Sequence, residues 1–129
     1  MAKISADIAK VVDITARRND SFYLKVTLTN EDGSVYDIVE EGGSNYSAYL
    51  EIYNKDELVL GFSSVANTSS PIVSSSITVD GSEASLTIET TSNNMGLYSG
   101  SYEYKMYVTS TTDNETNTVM VGKFKVVDI

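Results

Sequence analysis

At 129 residues the chain is long enough for one domain with a real core, and its nine Lys and Arg against eighteen Asp and Glu leave a net charge of -9. That balance opposes duplex nucleic acid and anionic membrane surfaces, both of which are bound through basic residues, so neither is expected as a partner. Cys and His are both absent, which removes disulfides, thiolate zinc sites, the commonest transition-metal ligand and the usual general base.

Residues 1–13 hold Ile4, Ile8 and the pair Val11 and Val12 at helical spacing, so a short amphipathic helix or an extended arm laid on a neighbouring subunit is expected there. The segment lacks the apolar stretch of a secretory signal, and no run in the chain approaches the roughly 18 apolar residues of a membrane span. A soluble chain without an export address is the expectation.

From residue 14 onward the pattern is that of strands. Asp13 to Arg17 reads as a short edge strand and Arg18-Asn19-Asp20 as a turn. Phe22, Leu24, Val26 and Leu28 then alternate with Tyr23, Lys25, Thr27 and Thr29, the period of two expected of a half-buried strand. Asn30-Glu31-Asp32-Gly33 signals a tight turn into a short strand at Val35 to Val39, followed by a loop around Gly42-Gly43. Ala48, Leu50 and Ile52 alternate with Tyr49, Glu51 and Tyr53. After a turn at Asn54-Lys55-Asp56, Leu58, Leu60 and Phe62 share a face. The Ser-rich stretch 63–75 around Pro71 suits a crossing loop or a sheet edge, where a missing N–H does no harm.

Ile77 and Val79 lead through Asp80-Gly81-Ser82 into Leu86 and Ile88 as a hairpin, and Ser92 to Met95 fits one helical turn. Gly100 opens the strand of Tyr102, Tyr104, Met106 and Val108, with Glu103, Lys105, Tyr107 and Thr109 on its other face. The order Gly-x-Tyr-x-Tyr there resembles the tyrosine corner of immunoglobulin-like sandwiches, in which the first Tyr ties its hydroxyl to backbone a few residues upstream. Val119 to Val127 closes the domain, with Phe124 and Val126 inward and Gly122 marking a bulge or a close backbone approach. The expected fold is all-β: a single antiparallel immunoglobulin-like β-sandwich of about 7–9 strands over residues 14–129, preceded by an arm or docking segment at 1–13.

No catalytic set is expected. Without His or Cys, chemistry would fall to a pair of carboxylates across a cleft, and the acidic residues stand scattered at turns, where solubility and turn geometry place them. Asn30 to Ser34 and Asp113 to Glu115 could each offer a few calcium oxygens, but neither has the twelve-residue spacing of a calcium loop, so no metal or cofactor is assigned. The tyrosines carry more: nine Tyr stand against no Trp. If the strand of Tyr46 to Tyr53 pairs with that of Tyr102 to Thr109, then Tyr49, Tyr53 and Tyr107 cluster on one outer face. Such a face is a docking surface for a protein, a flat platform for a sugar, or a solvated sheet made of good strand formers. With the arm residues Ile4 and Ile8, these three are the candidate partner-docking residues.

Several short motifs resemble a known family. Ile14-Thr15-Ala16-Arg17-Arg18-Asn19-Asp20-Ser21-Phe22 is similar to the hydrophobic-x-x-Arg-Gly-Asp-Ser/Thr-aromatic opening of small phage virion domains, such as the N-terminal domain of baseplate upper proteins, with Asn19 in place of Gly. Ile77 to Gly81, Leu86 to Ile88, Gly100 to Tyr104 and Val121 to Val126 resemble later landmarks of that family in the same order. The resemblance implies an immunoglobulin-like sandwich that attaches to a virion. With nothing after Ile129, a solitary domain of this kind is expected to be a non-enzymatic accessory piece: an auxiliary capsid (decoration) protein, or a fibre or baseplate adaptor. It would dock on other virion proteins after a period in the host cytoplasm. A carbohydrate-binding or adhesin module is the alternative.

Overall fold

A computed structural model describes residues 10–28, 46–66, 68–80, 85–110 and 116–128. The strands are β1 (Lys10–Val11), β2 (Ile14–Arg17), β3 (Phe22–Thr27), β4 (Tyr46–Asn54), β5 (Glu57–Ser63), β6 (Ile72–Val73), β7 (Ile77–Asp80), β8 (Ser85–Thr90), β9 (Gly100–Ser110) and β10 (Thr116–Val127). A single 3-10 turn at Ser92–Asn94 occupies the place where one helical turn is expected. The short strand expected at Val35 to Val39 and both calcium-like loops lie outside the described residues.

The strands form two sheets. One runs β1-β10-β9-β4-β5-β6, with β2 also on β10; the other is β3-β8-β7. The chain is therefore all-β in two layers. Counting β1 and β2 as two pieces of one edge gives nine strands, within the expected number. The expectation of a purely antiparallel fold is corrected at three places: β1 and β2 run parallel to β10, and β6 runs parallel to β5. No tight hairpin joins any of these pairs, so nothing obliges them to be antiparallel. The helix considered for the arm is also corrected at its end, since Lys10–Val11 pairs with β10 of the same chain.

The two layers share one core. Phe22 of β3 stacks against Phe62 of β5 at 6.0 Å and meets Phe124 of β10 edge-on at 5.7 Å. Around this trio lie the residues the alternation assigns inward: Leu50 and Ile52 of β4, Leu86 and Ile88 of β8, Met106 and Val108 of β9, all fully buried. Burial of such side chains, each worth about 1.5–3 kcal/mol, is the term that holds the layers together. The alternation fails once, in β5. A register shift opposite Ile52 and Tyr53 pairs Tyr53 with Leu58, and Val59 packs against the core where Leu58 is expected. One extra residue in a strand reverses the faces beyond it.

Two polar devices close the layers. Buried Ser63 donates its N–H to Ser76 Oγ at 3.2 Å and accepts at its carbonyl from Ser76 N–H at 2.8 Å, so the end of β5 is tied to the start of β7. At the other side, the edge crosses a notch at Val12 and Asp13. There Val12 N–H donates to Val121 O at 2.9 Å, Tyr104 Oη–H donates to Val12 O at 2.5 Å, and Asp13 Oδ1 accepts from Lys123 N–H at 3.1 Å. Gly122 is required beneath this notch, because a Cβ there would overlap the Val12 carbonyl. The close approach expected at Gly122 is thus observed.

The head of β9 has the corner geometry expected of Gly-x-Tyr-x-Tyr. Tyr102 Oη–H donates to the Tyr98 carbonyl four residues upstream at 2.7 Å. Tyr102→Phe is expected to lower stability by about 1 kcal/mol, the net worth of one such bond. A thermal midpoint equal to that of the unmodified chain would remove the tie from the fold's stabilising contacts.

Candidate docking face on β4 and β9

β4 and β9 are central in the larger sheet, paired antiparallel with Tyr49 opposite Tyr107, Glu51 opposite Lys105 and Tyr53 opposite Glu103. Because Ala48, Leu50 and Ile52 turn into the core, Tyr49, Glu51 and Tyr53 must turn out, and they are half-buried. The structure therefore brings together the three tyrosines expected to cluster. Ile4 and Ile8 lie outside the described residues.

The tyrosines are joined, and the joint is a residue that the search for docking side chains passes over. Tyr53 Oη–H donates to Glu51 Oε1 at 2.7 Å, and Tyr107 Oη–H donates to Glu51 Oε2 at 2.9 Å. The ring of Tyr107 stacks on that of Tyr49 at 5.0 Å between centroids and 22° between planes, a favourable cross-strand pair. Lys105 Nζ lies 5.0 Å from the centroid of the Tyr107 ring, within reach of a cation–π attraction. Glu51 thus acts as a hub, with each carboxylate oxygen taking one phenol. The signal for it is the spacing Tyr-x-Glu-x-Tyr, which puts all three side chains on one face of a strand. A second aromatic contact lies elsewhere: Arg18 stacks 4.9 Å from the Tyr98 ring centroid and pairs with Asp128 at 3.4 Å.

The electrostatics follow from the hub. The hydrogen bond to the Glu51 carboxylate, then burial, push the Tyr53 phenol from 10.0 up to about 12. Burial first and the same carboxylate second hold Tyr107 well above its ordinary value. Burial, with the Asp13 charge behind it, pushes Tyr104 up to about 12. These phenols bind their protons more tightly folded than unfolded. The stability they contribute is whole below about pH 10, the ordinary tyrosine value, and is lost as pH rises through the folded values. In an absorbance titration of phenolate, Glu51→Gln is expected to bring the ionisation of Tyr53 down towards 10. An unchanged titration curve would sever the link between Glu51 and the phenols.

Chemically, the face offers flat aromatic surface, one carboxylate and one ammonium. Among the described residues no group of three or more Asp or Glu side chains is placed to hold a metal ion. No helix among them is long and apolar enough to cross a membrane.

Neither a protein-family model nor a curated protein matches the sequence. Among solved structures the chain is similar to the NK cell receptor Nkp44, a triggering partner in natural cytotoxicity, with 13% identity and a TM-score of 0.45 over 94% of this chain and 98% of that one. A likeness at that level carries no argument about what this chain does.

Proposed function

We propose that this chain is an immunoglobulin-like β-sandwich serving as a non-enzymatic accessory part of a tailed-phage virion. It docks on capsid, fibre or baseplate proteins through the outer face of β4 and β9. The observation that carries the docking part is the joined cluster of Tyr49, Tyr53 and Tyr107 around Glu51, since tyrosines held rigid on a sheet make large contacts at low entropic cost. The fold part is supported by the strand order, in which an edge, β10, β9, β4, β5 and β6 stand against β3, β8 and β7, as in variable-type immunoglobulin domains. The Tyr102 tie supports it too.

The virion part rests on the resemblance of residues 14–22, 77–88, 100–104 and 121–126 to phage virion domains. The one departure in the opening motif, Asn19 for Gly, is mild: φ at Asn19 is 64°, a left-handed conformation that Asn tolerates better than most residues. The alternative is a carbohydrate-binding or adhesin module using the Tyr49–Tyr107 stack as its platform.

Co-sedimentation with purified particles separates the two. The unmodified chain is expected to travel with capsids or tails, and Tyr49→Ala to weaken that binding by about 2 kcal/mol, roughly thirtyfold, with the fold intact. Unchanged co-sedimentation of Tyr49→Ala and Tyr53→Ala would end the docking role of this face. Glycan binding lost in Tyr49→Ala would favour the adhesin.

A further inference from the structure

The hydrogen-bond inventory of the Glu51 cluster specifies more than a flat contact. Both phenol hydrogens are consumed within it, one on each carboxylate oxygen. A carboxylate can accept about four hydrogen bonds and a phenol oxygen about two, so what remains toward solvent is acceptor capacity only. Raised phenol ionisation keeps it so at neutral pH, because Tyr53 and Tyr107 stay protonated donors to Glu51. Beside the cluster, Tyr53 also lines a depression of about 290 Å³ whose other walls include the carboxylates of Asp56 and Glu103. Lys105, already seated over the Tyr107 ring, shows that these ring faces attract a cation.

The complement of an acceptor-rich, aromatic, carboxylate-bearing site is a planar cation with donors and no acceptor. Lys is a point charge with three donors, whereas the guanidinium has five in a rigid fork and stacks on aromatic rings. A sugar hydroxyl both donates and accepts, and finds fewer donors here to receive its lone pairs. We infer that the Glu51 cluster and the adjoining depression form a socket for an arginine side chain presented by the protein on which this chain docks. This rests on the docking reading above and names the chemistry of the partner.

The test is a titration of the full isotope-labelled chain with N-acetyl-arginine amide, following backbone amides by NMR. Saturable shifts confined to residues 49–56 and 103–107 are expected, with a dissociation constant at least threefold below that for N-acetyl-lysine amide. Glu51→Gln should weaken the binding about tenfold, and Tyr53→Phe, which keeps the ring and removes an acceptor, by a smaller factor. No saturable shift, equal binding of the lysine probe, or shifts of the same amides by maltotriose in place of arginine would each overturn the socket. Co-sedimentation of Tyr49→Ala, measured alongside, keeps the two readings apart. Particle binding lost in that variant while the arginine probe is silent leaves docking standing and removes the socket. Arginine binding at these amides without particle binding does the reverse.

Discussion

Phe124→Ala is expected to lower the unfolding free energy by about 4 kcal/mol, in the range for a large aromatic deleted from a closed core. Phe124 is fully buried and meets Phe22 across the layers at 5.7 Å, and Phe22 in turn stacks on Phe62 at 6.0 Å. The three rings come from β10, β3 and β5, so the void would open where the two sheets touch and where no single strand can shift to fill it. Against a total stability of about 5–15 kcal/mol for an ordinary domain, such a loss leaves the fold marginal. The urea midpoint measures it, with Lys125→Ala as the neighbour that should move within about 0.5 kcal/mol, its side chain being exposed. A loss below 2 kcal/mol for Phe124→Ala would mean that the ring is not enclosed.

Gly122→Ala is expected to cost about 2–3 kcal/mol for a different reason, the forcing of an atom into space already filled. The added Cβ would overlap the Val12 carbonyl and stand 3.2 Å from Asp13 Oδ1. Val12 offers backbone there, which has no rotamer to turn away with. Relief must therefore come from lifting the notch between β1 and β2, with loss of the bonds from Val12 N–H to Val121 O and from Lys123 N–H to Asp13. Hydrogen exchange should show the Val12 and Lys123 amides losing protection before the core strands. Gly96→Ala is the control, since its nearest atom would be Asn19 Oδ1 at 3.9 Å. An unchanged midpoint for Gly122→Ala would show that the edge strand contributes nothing to stability.

How much of this was legible depended on how local each feature is. The strands of Tyr46 to Tyr53 and Tyr102 to Thr109 are long and alternate cleanly, so their core and outer faces could be assigned before any pairing was known. The cluster of Tyr49, Tyr53 and Tyr107 followed once the two were placed side by side. Glu51 was not singled out, because an outward carboxylate among polar neighbours reads as a solvated residue. Only the register, which sets Glu51 opposite Lys105 and within reach of both phenols, makes it a hub. The bulge in β5 left no mark, since Leu58-Val59-Leu60 is apolar at every position and supports either face. The parallel edge was invisible for a plainer reason: its two halves lie at opposite ends of the chain.

That last feature has a consequence for how the molecule is made. The bond from Lys123 to Asp13 and the ion pair of Arg18 with Asp128 each join residues 110 positions apart. At a synthesis rate of about 5–20 residues per second, β2 waits roughly 5–20 s outside the ribosome before its partner emerges. The β4–β5 and β7–β8 pairs, whose members follow closely in the chain, can form in that interval. The edge of β1 and β2 cannot. Loop closure on this scale places the seam among the last and slowest contacts to form. A nascent chain stalled before residue 120 would hold an inner sheet with an unsealed side and Ile14 and Ala16 without cover.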